Sequence, residues 1–345
     1  MDKQDITILI QGNPIRKGDV IAPRCAGDVY HEQTSWNDFG KIDITKELIV
    51  SVRKYFPQSS IILSTYRGSN FTDLDYDELV PSKDPGSEGE IYDGQPNNVN
   101  RIIVTSLSGL KKVNTRYTLK LRPDMLIEGL GFYEIFEKYR DLPPFDDHMK
   151  IFEGRVLANG FATLNNRLCF NLCDWFFLGL TEDLVNLFEV PLLDVTDSIY
   201  RQQLREAKED YKLKGKAKNC VHSPEAYVLL GYIHKQTGRE IMKHSEDDRA
   251  EVGRLCESYY MNNFIFAETG NYGLVNRKNK TLISLKNEEY FSHHVFVEGV
   301  KRYRKMKIRR QLQKVALHII AGLIPLNLLR RKARALKDEN KKTNK

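Results

Sequence analysis

An unbroken run of apolar and β-branched residues, Ile6-Thr7-Ile8-Leu9-Ile10, opens the chain and stops at Gln11-Gly12-Asn13-Pro14. A run of this kind predicts a strand buried on both faces, as in a parallel sheet, followed by a polar turn. A mixed loop, Gly18 to Gly40, leads to a helix capped by Thr45, with Leu48, Ile49, Val52, Tyr55 and Phe56 on one face and Pro57 ending it. Ile61 to Thr65 repeats the buried-strand pattern, and a right-handed crossover makes the two strands parallel neighbours. Leu79-Val80 gives a short third strand, closed by Asp84-Pro85-Gly86.

A Gly/Asp/Pro-rich loop from Gly86 to Pro96 then leads into Asn97. Beyond it Val99, Ile102, Ile103, Ser106, Leu107 and Leu110 recur at helical spacing. Tyr117 to Leu121 is a further strand that runs directly into Arg122-Pro123-Asp124. The order β-α-β-β-α-β predicts an α/β architecture of the nucleotide-binding kind. In the second half, Leu168 to Cys173 reads as a strand, and helices are expected over Glu182–Phe188, Ser198–Tyr211, Pro224–Lys235 and Asp247–Tyr260. No clean linker separates the halves, so one shared core is expected, with a joint near Glu298-Gly299.

Composition agrees with a folded chain: 41% of the 345 residues are hydrophobic and 10% aromatic, enough to build a core. No period of twenty to fifty residues is visible, which sets aside solenoids and propellers. The net charge of +7 is unevenly distributed. Residues 301–345 carry 16 Lys/Arg against Asp338 and Glu339, a local +14, which leaves residues 1–300 at −7. A mildly acidic body with a basic tail points to an anionic surface as the tail's partner, and it does not describe a nucleic-acid-binding domain.

Cys25, Cys169, Cys173, Cys220 and Cys256 form neither a CxxC pair nor an even framework, so reduced thiols in a cytosolic compartment are expected. The start of the chain does not read as a secretory leader. The longest apolar stretch, Val315 to Leu329, is interrupted by His318, Pro325 and Asn327, and it falls short of the roughly twenty residues a membrane span needs.

In open α/β sheets ligands bind beyond the carboxyl ends of the strands. Those ends carry Gln11-Gly12, Ser64-Thr65, Asp84 and Asp124, although any strand must end in something polar. Asp124 can hold Mg²⁺ or Mn²⁺, or instead cap its turn or pair with Arg122. Asn97, Asn100 and Arg101 open a helix, where anions are favoured and where N-capping also places Asn. His293-His294 and His222 lack partners at metal-ligand spacing. No GxSxG, HExxH, Walker A or GxGxxG occurs, which disfavours serine hydrolases, zincins, P-loop ATPases and dinucleotide-binding folds.

Taken in order, the QG turn at Gln11-Gly12, the strand end Ile61–Gly68, the Val80–Gly86 segment, Asn97–Arg101 and Tyr117–Asp124 resemble the WavE lipopolysaccharide-synthesis family of GT-A-like glycosyltransferases. Asp174-Trp175-Phe176 with Gly179, and Pro224-Glu225 with Tyr227, continue the resemblance, which covers roughly residues 5–235. The resemblance implies a GT-A-like, Rossmann-like mixed sheet with helices on both faces. It implies a nucleotide-sugar donor on the N-terminal half, its base near Gln11, Ser64 and Asp84, and a diphosphate and divalent metal near Asp124. The acidic DXD of GT-A enzymes is here Arg122-Pro123-Asp124, one carboxylate instead of two, so Arg122 or Arg101 can take over the neutralisation of the diphosphate. Transfer also needs a base for the acceptor hydroxyl. Asp174, among aromatic residues, and Glu225, in the first turn of a helix, are the candidates, and both also suit structural roles.

The expected division is a catalytic domain over 1–298 (donor half 1–150, acceptor half 151–298), basic amphipathic helices over 299–337 and a disordered tail over 338–345. Tyr303, Met306, Ile308 and Leu312 interleave with Lys/Arg. After Pro325 a helix would gather Leu326, Leu329, Ala333 and Leu336 on one face. That pattern fits an interfacial membrane helix over 301–337, or a C-terminal helix covering the core. The expectation is a cytoplasmic enzyme, peripheral on the inner face of the plasma membrane. It would move a sugar to a saccharide acceptor, lipid-linked for choice, in surface polysaccharide synthesis. Transfer of another nucleotide-activated group, such as a phosphopolyol, and a non-catalytic scaffold are the alternatives.

Overall fold

The computed structural model describes residues 2–19, 40–92, 95–161, 163, 168–213, 219–277 and 290–323. The chain divides into two units, Met1–Phe296 and Val297–Lys345.

The first unit is built on a seven-stranded mixed sheet. Its strands are β1 (Ile6–Gln11), β2 (Ile61–Tyr66), β3 (Glu78–Ser82), β6 (Tyr117–Leu121), β8 (Val156–Asn159), β9 (Phe176–Leu180) and β10 (Phe264–Ala267). Two small antiparallel pairs lie outside it: β4 (Glu90–Tyr92) with β5 (Gln95–Pro96), and β7 (Met125–Ile127) with β11 (Leu274–Asn276). In the large sheet the order is β10-β8-β9-β6-β1-β2-β3. β1 pairs parallel with β2 and with β6, and β2 parallel with β3. β9 runs antiparallel between β6 and β8. The predicted parallel pairing of the first two strands is therefore the observed one.

Every residue of β1 and β6 is buried, which requires cover on both faces. α2 (Val99–Leu110), α4 (Thr181–Phe188) and α6 (Pro224–Thr237) contact one another on the face that carries Leu9 and Ser64. α2 comes so close that a Cβ on Gly109 would overlap Leu9 and stand 2.7 Å from the Ser64 Cβ. On the other face Phe136 of α3 (Gly131–Tyr139) meets the Tyr117 ring edge-on at 6.0 Å. Phe132 of α3 packs at 6.3 Å on Phe56, which ends α1 (Ile44–Tyr55). The α/β fold class expected from the sequence, a mixed sheet with helices on both faces, is what the chain forms.

Four local expectations are corrected. The stretch expected as a loop, Gly86 to Pro96, holds the antiparallel pair β4 and β5. Leu168–Cys173 is not a strand. Phe170 adopts a positive φ of 61° and buries its ring against Tyr259 and Tyr260, which bends the chain out of any ladder. The strand lies later, at Phe176–Leu180. The cap of α1 is Asp43, whose carboxylate accepts from Lys46 N at 3.0 Å, while Thr45 is buried within the first turn and accepts from Ile15 N at 2.7 Å. The fourth helix predicted in the second half begins at Ala250, not Asp247: α7 spans Ala250–Asn263, and the Asp247 carboxylate pairs with Arg249 at 2.7 Å. α5 (Ser198–Leu213) completes the helices of the first unit before α8 (His293–Leu323).

α8 starts in the first unit and continues into the second. In the second unit Lys301 pairs with Glu298 at 2.8 Å, and Met306 and Leu312 are exposed. Among the described residues no helix is long and apolar enough to cross a membrane. The helix expected after Pro325, with Leu326, Leu329, Ala333 and Leu336, lies outside the described residues, as does the tail over 338–345.

Candidate functional site

β1, β2 and β6 run parallel, so their carboxyl ends share one edge. At that edge Gly12 takes a φ of +121°, which glycine alone adopts without strain, and Pro123 packs against it. A side chain at Gly12 would begin 3.4 Å from the Pro123 ring. This contact sets the course of the turn after β6, and so the place of its two flanking residues, Arg122 and Asp124.

Arg122 lies between two carboxylates. Its Nε and one terminal nitrogen donate to the two oxygens of Asp124 at 3.2 and 3.0 Å, and its other terminal nitrogen reaches Asp174 at 3.4 Å. The Asp124 side chain is 1% exposed and that of Asp174 7%, whereas Arg122 keeps 29% of its side chain in solvent. Burial alone would lower the pKa of Arg122. The Asp124 and Asp174 carboxylates outweigh it and hold the guanidinium well above its ordinary value.

Asp174 comes from the loop before β9, and a buried lysine holds that loop. Lys120 donates from Nζ to the main-chain carbonyl of Asp174 at 2.8 Å and lies over the rings of Phe177 and Phe188, at 5.4 and 5.5 Å. Its side chain has no exposed surface, and burial brings its pKa down to about 8 against the pull of Asp174. The neighbouring Cys173 thiol is pushed up by burial, which disfavours its thiolate, and its sulfur accepts from Asn159 at 3.3 Å.

Glu225 lies in the first turn of α6, after the cap Ser223, whose hydroxyl accepts from Ala226 N. It lines one narrow cavity with Asp174, Ile102, Phe177 and Phe188. Burial, reinforced by the charge of Asp174, raises its pKa to about 7. The structure thus brings together Arg122, Asp124, Asp174 and Glu225, drawn from three segments separated by about fifty residues each.

The other candidates are engaged with the protein itself. Gln11 donates to the Thr105 hydroxyl at 2.6 Å, and its Oε1 is buried with no hydrogen-bond partner among the described residues. Ser64 donates to the Thr105 carbonyl at 2.6 Å. Thr65 reaches Ser69 at 3.0 Å, and Ser69 reaches Asn13 at 2.6 Å. Asn100 holds both the N–H and the carbonyl of Leu193, at 2.7 and 2.8 Å, and Asn97 accepts from Val99 N at 3.1 Å. Arg101 forks onto Asp84 at 2.8 and 2.7 Å, which lowers the Asp84 pKa. The buried contacts of Ser64 and Asn100 fix α2 to the sheet and to the loop at Leu193, and Asn97 accepts from the first N–H of α2.

A resident Mg²⁺ or Mn²⁺ at Asp124 does not fit this donor set. Both oxygens of Asp124 accept from Arg122, so a cation there would have to displace the guanidinium, and among the described residues no group of three His, Cys, Asp or Glu side chains stands ready to hold a metal by protein ligands alone.

The family model described as WavE lipopolysaccharide synthesis matches residues 33–324. The chain belongs to the WavE lipopolysaccharide synthesis family. A curated protein, the nicotinamide riboside kinase of Schizosaccharomyces pombe, is 37% identical to this WavE protein over 78 residues, 22% of this chain. The chain spans only 33% of that kinase's length. Among solved structures, 4-diphosphocytidyl-2C-methyl-D-erythritol synthase of Anaerococcus prevotii is 9% identical at a TM-score of 0.31, covering 63% of this chain and 87% of that one. HddC of Yersinia pseudotuberculosis, complexed with GMP-PN, is 11% identical at 0.29 over 57% and 85%. Mannose-1-phosphate geranyltransferase of Thermus thermophilus is 11% identical at 0.27 over 79% and 72%. Likenesses this distant say nothing of this WavE protein's chemistry.

Reading the sequence for strand ends and family motifs missed Lys120 and Thr105. Lys120 had a visible signal: a lone charge at the fourth position of Tyr-Thr-Leu-Lys-Leu, in a strand otherwise fit for burial on both faces. Thr105 had none, because a threonine within a helix is unremarkable until Gln11 and the Ser64 strand are placed against it.

Proposed function

We propose that this WavE-family protein is a glycosyltransferase of the GT-A kind. It would move a sugar from a nucleotide-sugar donor to a saccharide acceptor in lipopolysaccharide or capsule synthesis. The observation that carries the reading is a half-buried, doubly held guanidinium, Arg122, that shares its neighbour Asp174 with a carboxylate of near-neutral pKa, Glu225, beyond the carboxyl ends of the parallel strands. In this reading the bond from the sugar's anomeric carbon to the diphosphate breaks, and the nucleoside diphosphate leaves with the electron pair. Arg122 stabilises the charge that develops there, since a guanidinium held in place needs no reorganisation during reaction. The acceptor oxygen bonds to the anomeric carbon and gives its proton to Glu225, whose pKa near 7 suits a general base at neutral pH. Asp174 keeps Glu225 basic and Arg122 oriented.

The buried Oε1 of Gln11, without a partner among the described residues, supports a nucleotide base beside Gly12, because a base amino group would complete its hydrogen bonding. A Mg²⁺ or Mn²⁺ arriving with the donor would have to share or displace Arg122 at Asp124. The excess charge of residues 301–345, 16 Lys/Arg against two acidic residues, favours a place on an anionic membrane face and a lipid-linked acceptor. That place would be the cytoplasmic leaflet.

Thermal melting of the full chain with UDP-, GDP-, CMP- and CDP-sugars, with and without Mn²⁺, tests the donor site, since a ligand of the folded state raises the midpoint. One nucleotide class is expected to shift it, and Arg122→Ala is expected to abolish the shift. No shift with any of them would overturn the reading.

A further inference from the structure

The other end of the sheet holds a second concave site. Tyr117 begins β6 and pairs with Leu180, the last residue of antiparallel β9, so both lie at the edge away from Arg122 and Asp124. They line a cavity of about 300 Å³ together with the loop that precedes β8. In its wall is Arg155, 4% exposed. The Arg155 guanidinium donates to the carbonyls of Leu142 at 2.7 Å, Met261 at 2.8 Å, Phe264 at 3.2 Å and Pro143 at 3.2 Å. A guanidinium has five N–H groups, so four are satisfied by neutral carbonyls and one is left for a ligand. Among the described residues none of its partners is a carboxylate. Burial with no opposing charge pulls its pKa down to about 10. The carbonyls and the Phe145 ring at 5.4 Å hold the guanidinium but do not neutralise it, so an anion entering the cavity would meet a charge it can compensate.

Three more cations line the same cavity. Arg140 pairs with Glu137 at 3.1 Å and donates to the Tyr117 hydroxyl at 2.8 Å, and Lys150 pairs with Glu153 at 3.2 Å. Arg116 lies over the Tyr117 ring at 5.5 Å and makes no ion pair among the described residues. Among the described residues the lining carboxylates are Asp141, 3.6 Å from Arg140, and Glu153, and with Glu137 behind Arg140 four cations stand against three acids, which leaves the site at +1. That charge complements a phosphate monoester, which carries about −1.5 to −2 at neutral pH, and guanidinium groups match its oxygens in pairs.

We propose that this cavity binds a phosphate group, held by Arg155 from the wall and Arg116 and Lys150 from the mouth, at the opposite edge of the sheet from the Arg122 cluster. The site does not depend on the transferase reading. The phosphate can be borne by a small soluble ester or by a lipid headgroup, and the test separates the two.

Calorimetric titration of the full-length protein with inorganic phosphate and with glycerol 3-phosphate is the first arm. The wild type is expected to bind, and Arg116→Ala/Lys150→Ala to bind at least tenfold more weakly. Both changes are at partly or fully exposed positions, so the melting midpoint in phosphate-free buffer should not move. In the second arm, vesicles with and without phosphatidic acid are floated with both proteins. Flotation that needs Arg116 and Lys150 assigns the phosphate to a lipid, and binding of free phosphate alone assigns it to a soluble ester. Absence of binding in both arms overturns the proposal. So does equal binding by the double variant, which would place phosphate at Arg122, or an effect reproduced by chloride at matched ionic strength.

Discussion

Lys120 Nζ donates to the main-chain oxygen of Asp174 at 2.8 Å, so a fully buried ammonium on β6 fixes the backbone of the residue whose side chain meets Arg122. One face of the strand thereby supports the chemistry at its end. The register Leu9↔Lys120 puts this lysine on the face covered by α2 and α4, where Phe177 and Phe188 exclude water from it.

The depressed pKa of Lys120 predicts a pH-dependent stability. The folded lysine loses its proton near 8 while the unfolded one keeps it to about 10.5. The unfolded state therefore binds more protons in that window, and the burden of the buried charge is relieved as pH rises through it. Relative to Lys120→Met, the wild type should gain on the order of 3 kcal/mol between pH 8 and 10.5. Urea unfolding of both proteins at pH 7, 8, 9 and 10 measures the difference. A gap that stays constant with pH would remove the assignment.

Glu225 should govern the acidic limb of turnover, with a midpoint near 7. Glu225→Gln is expected to lose at least about a hundredfold in kcat with donor binding unchanged. Asp174→Asn should move the limb to lower pH in whatever activity remains, because removing a neighbouring negative charge makes Glu225 easier to ionise. A limb that stays in place in Asp174→Asn would show that the two carboxylates do not interact.

Arg122→Met leaves Asp124 and Asp174 without their shared cation. Removing one partner of a buried ion pair costs about 3 kcal/mol, the low end of the usual range because Arg122 is partly exposed. Arg122→Met/Asp124→Asn should recover part of that loss, since Asp124 is then no longer an unpaired buried charge and only Asp174 remains one. Strictly additive losses in denaturant titrations would mean that the two side chains are not coupled. Because Arg122 covers Asp124, chelation by EDTA is expected to leave donor binding intact, and a chelator-sensitive melting shift would contradict that.

Gly109→Ala tests the approach of α2 to the sheet. The added methyl overlaps Leu9 and Ser64, and overpacking of this kind costs about 1–3 kcal/mol. A melting midpoint equal to the wild type's would mean that the helix can retreat without loss.

Removal of residues 301–345 changes the net charge from +7 to −7. Co-sedimentation with anionic liposomes is expected at low salt for the full chain and not for the truncated one, with only partial release at high salt. Turnover of a water-soluble acceptor fragment should survive the truncation. Equal pelleting of the two proteins would show that the tail is no anchor.

The main elements of the first half were set by local pattern: the apolar runs at Ile6 and Ile61 and the helical spacing after Asn97 needed no distant partner to be read, whereas the short strands β4, β5 and β7 and the helix α3 were not read from the sequence. The family motifs likewise pointed to Arg122, Asp124, Asp174 and Glu225 one by one. What the sequence left open was set by contacts between residues far apart in the chain. Whether Leu168–Cys173 extends or bends depends on Tyr259 and Tyr260, some ninety residues on. Whether Asp124 faces a metal or a guanidinium depends on how the turn at Pro123 seats against Gly12. Whether Asn100 and Ser64 face a ligand or serve the core depends on Leu193 and Thr105. Burial and charge pairing are properties of neighbours in space, so the pKa values of Glu225 and Lys120 existed only once the sheet had brought those neighbours together.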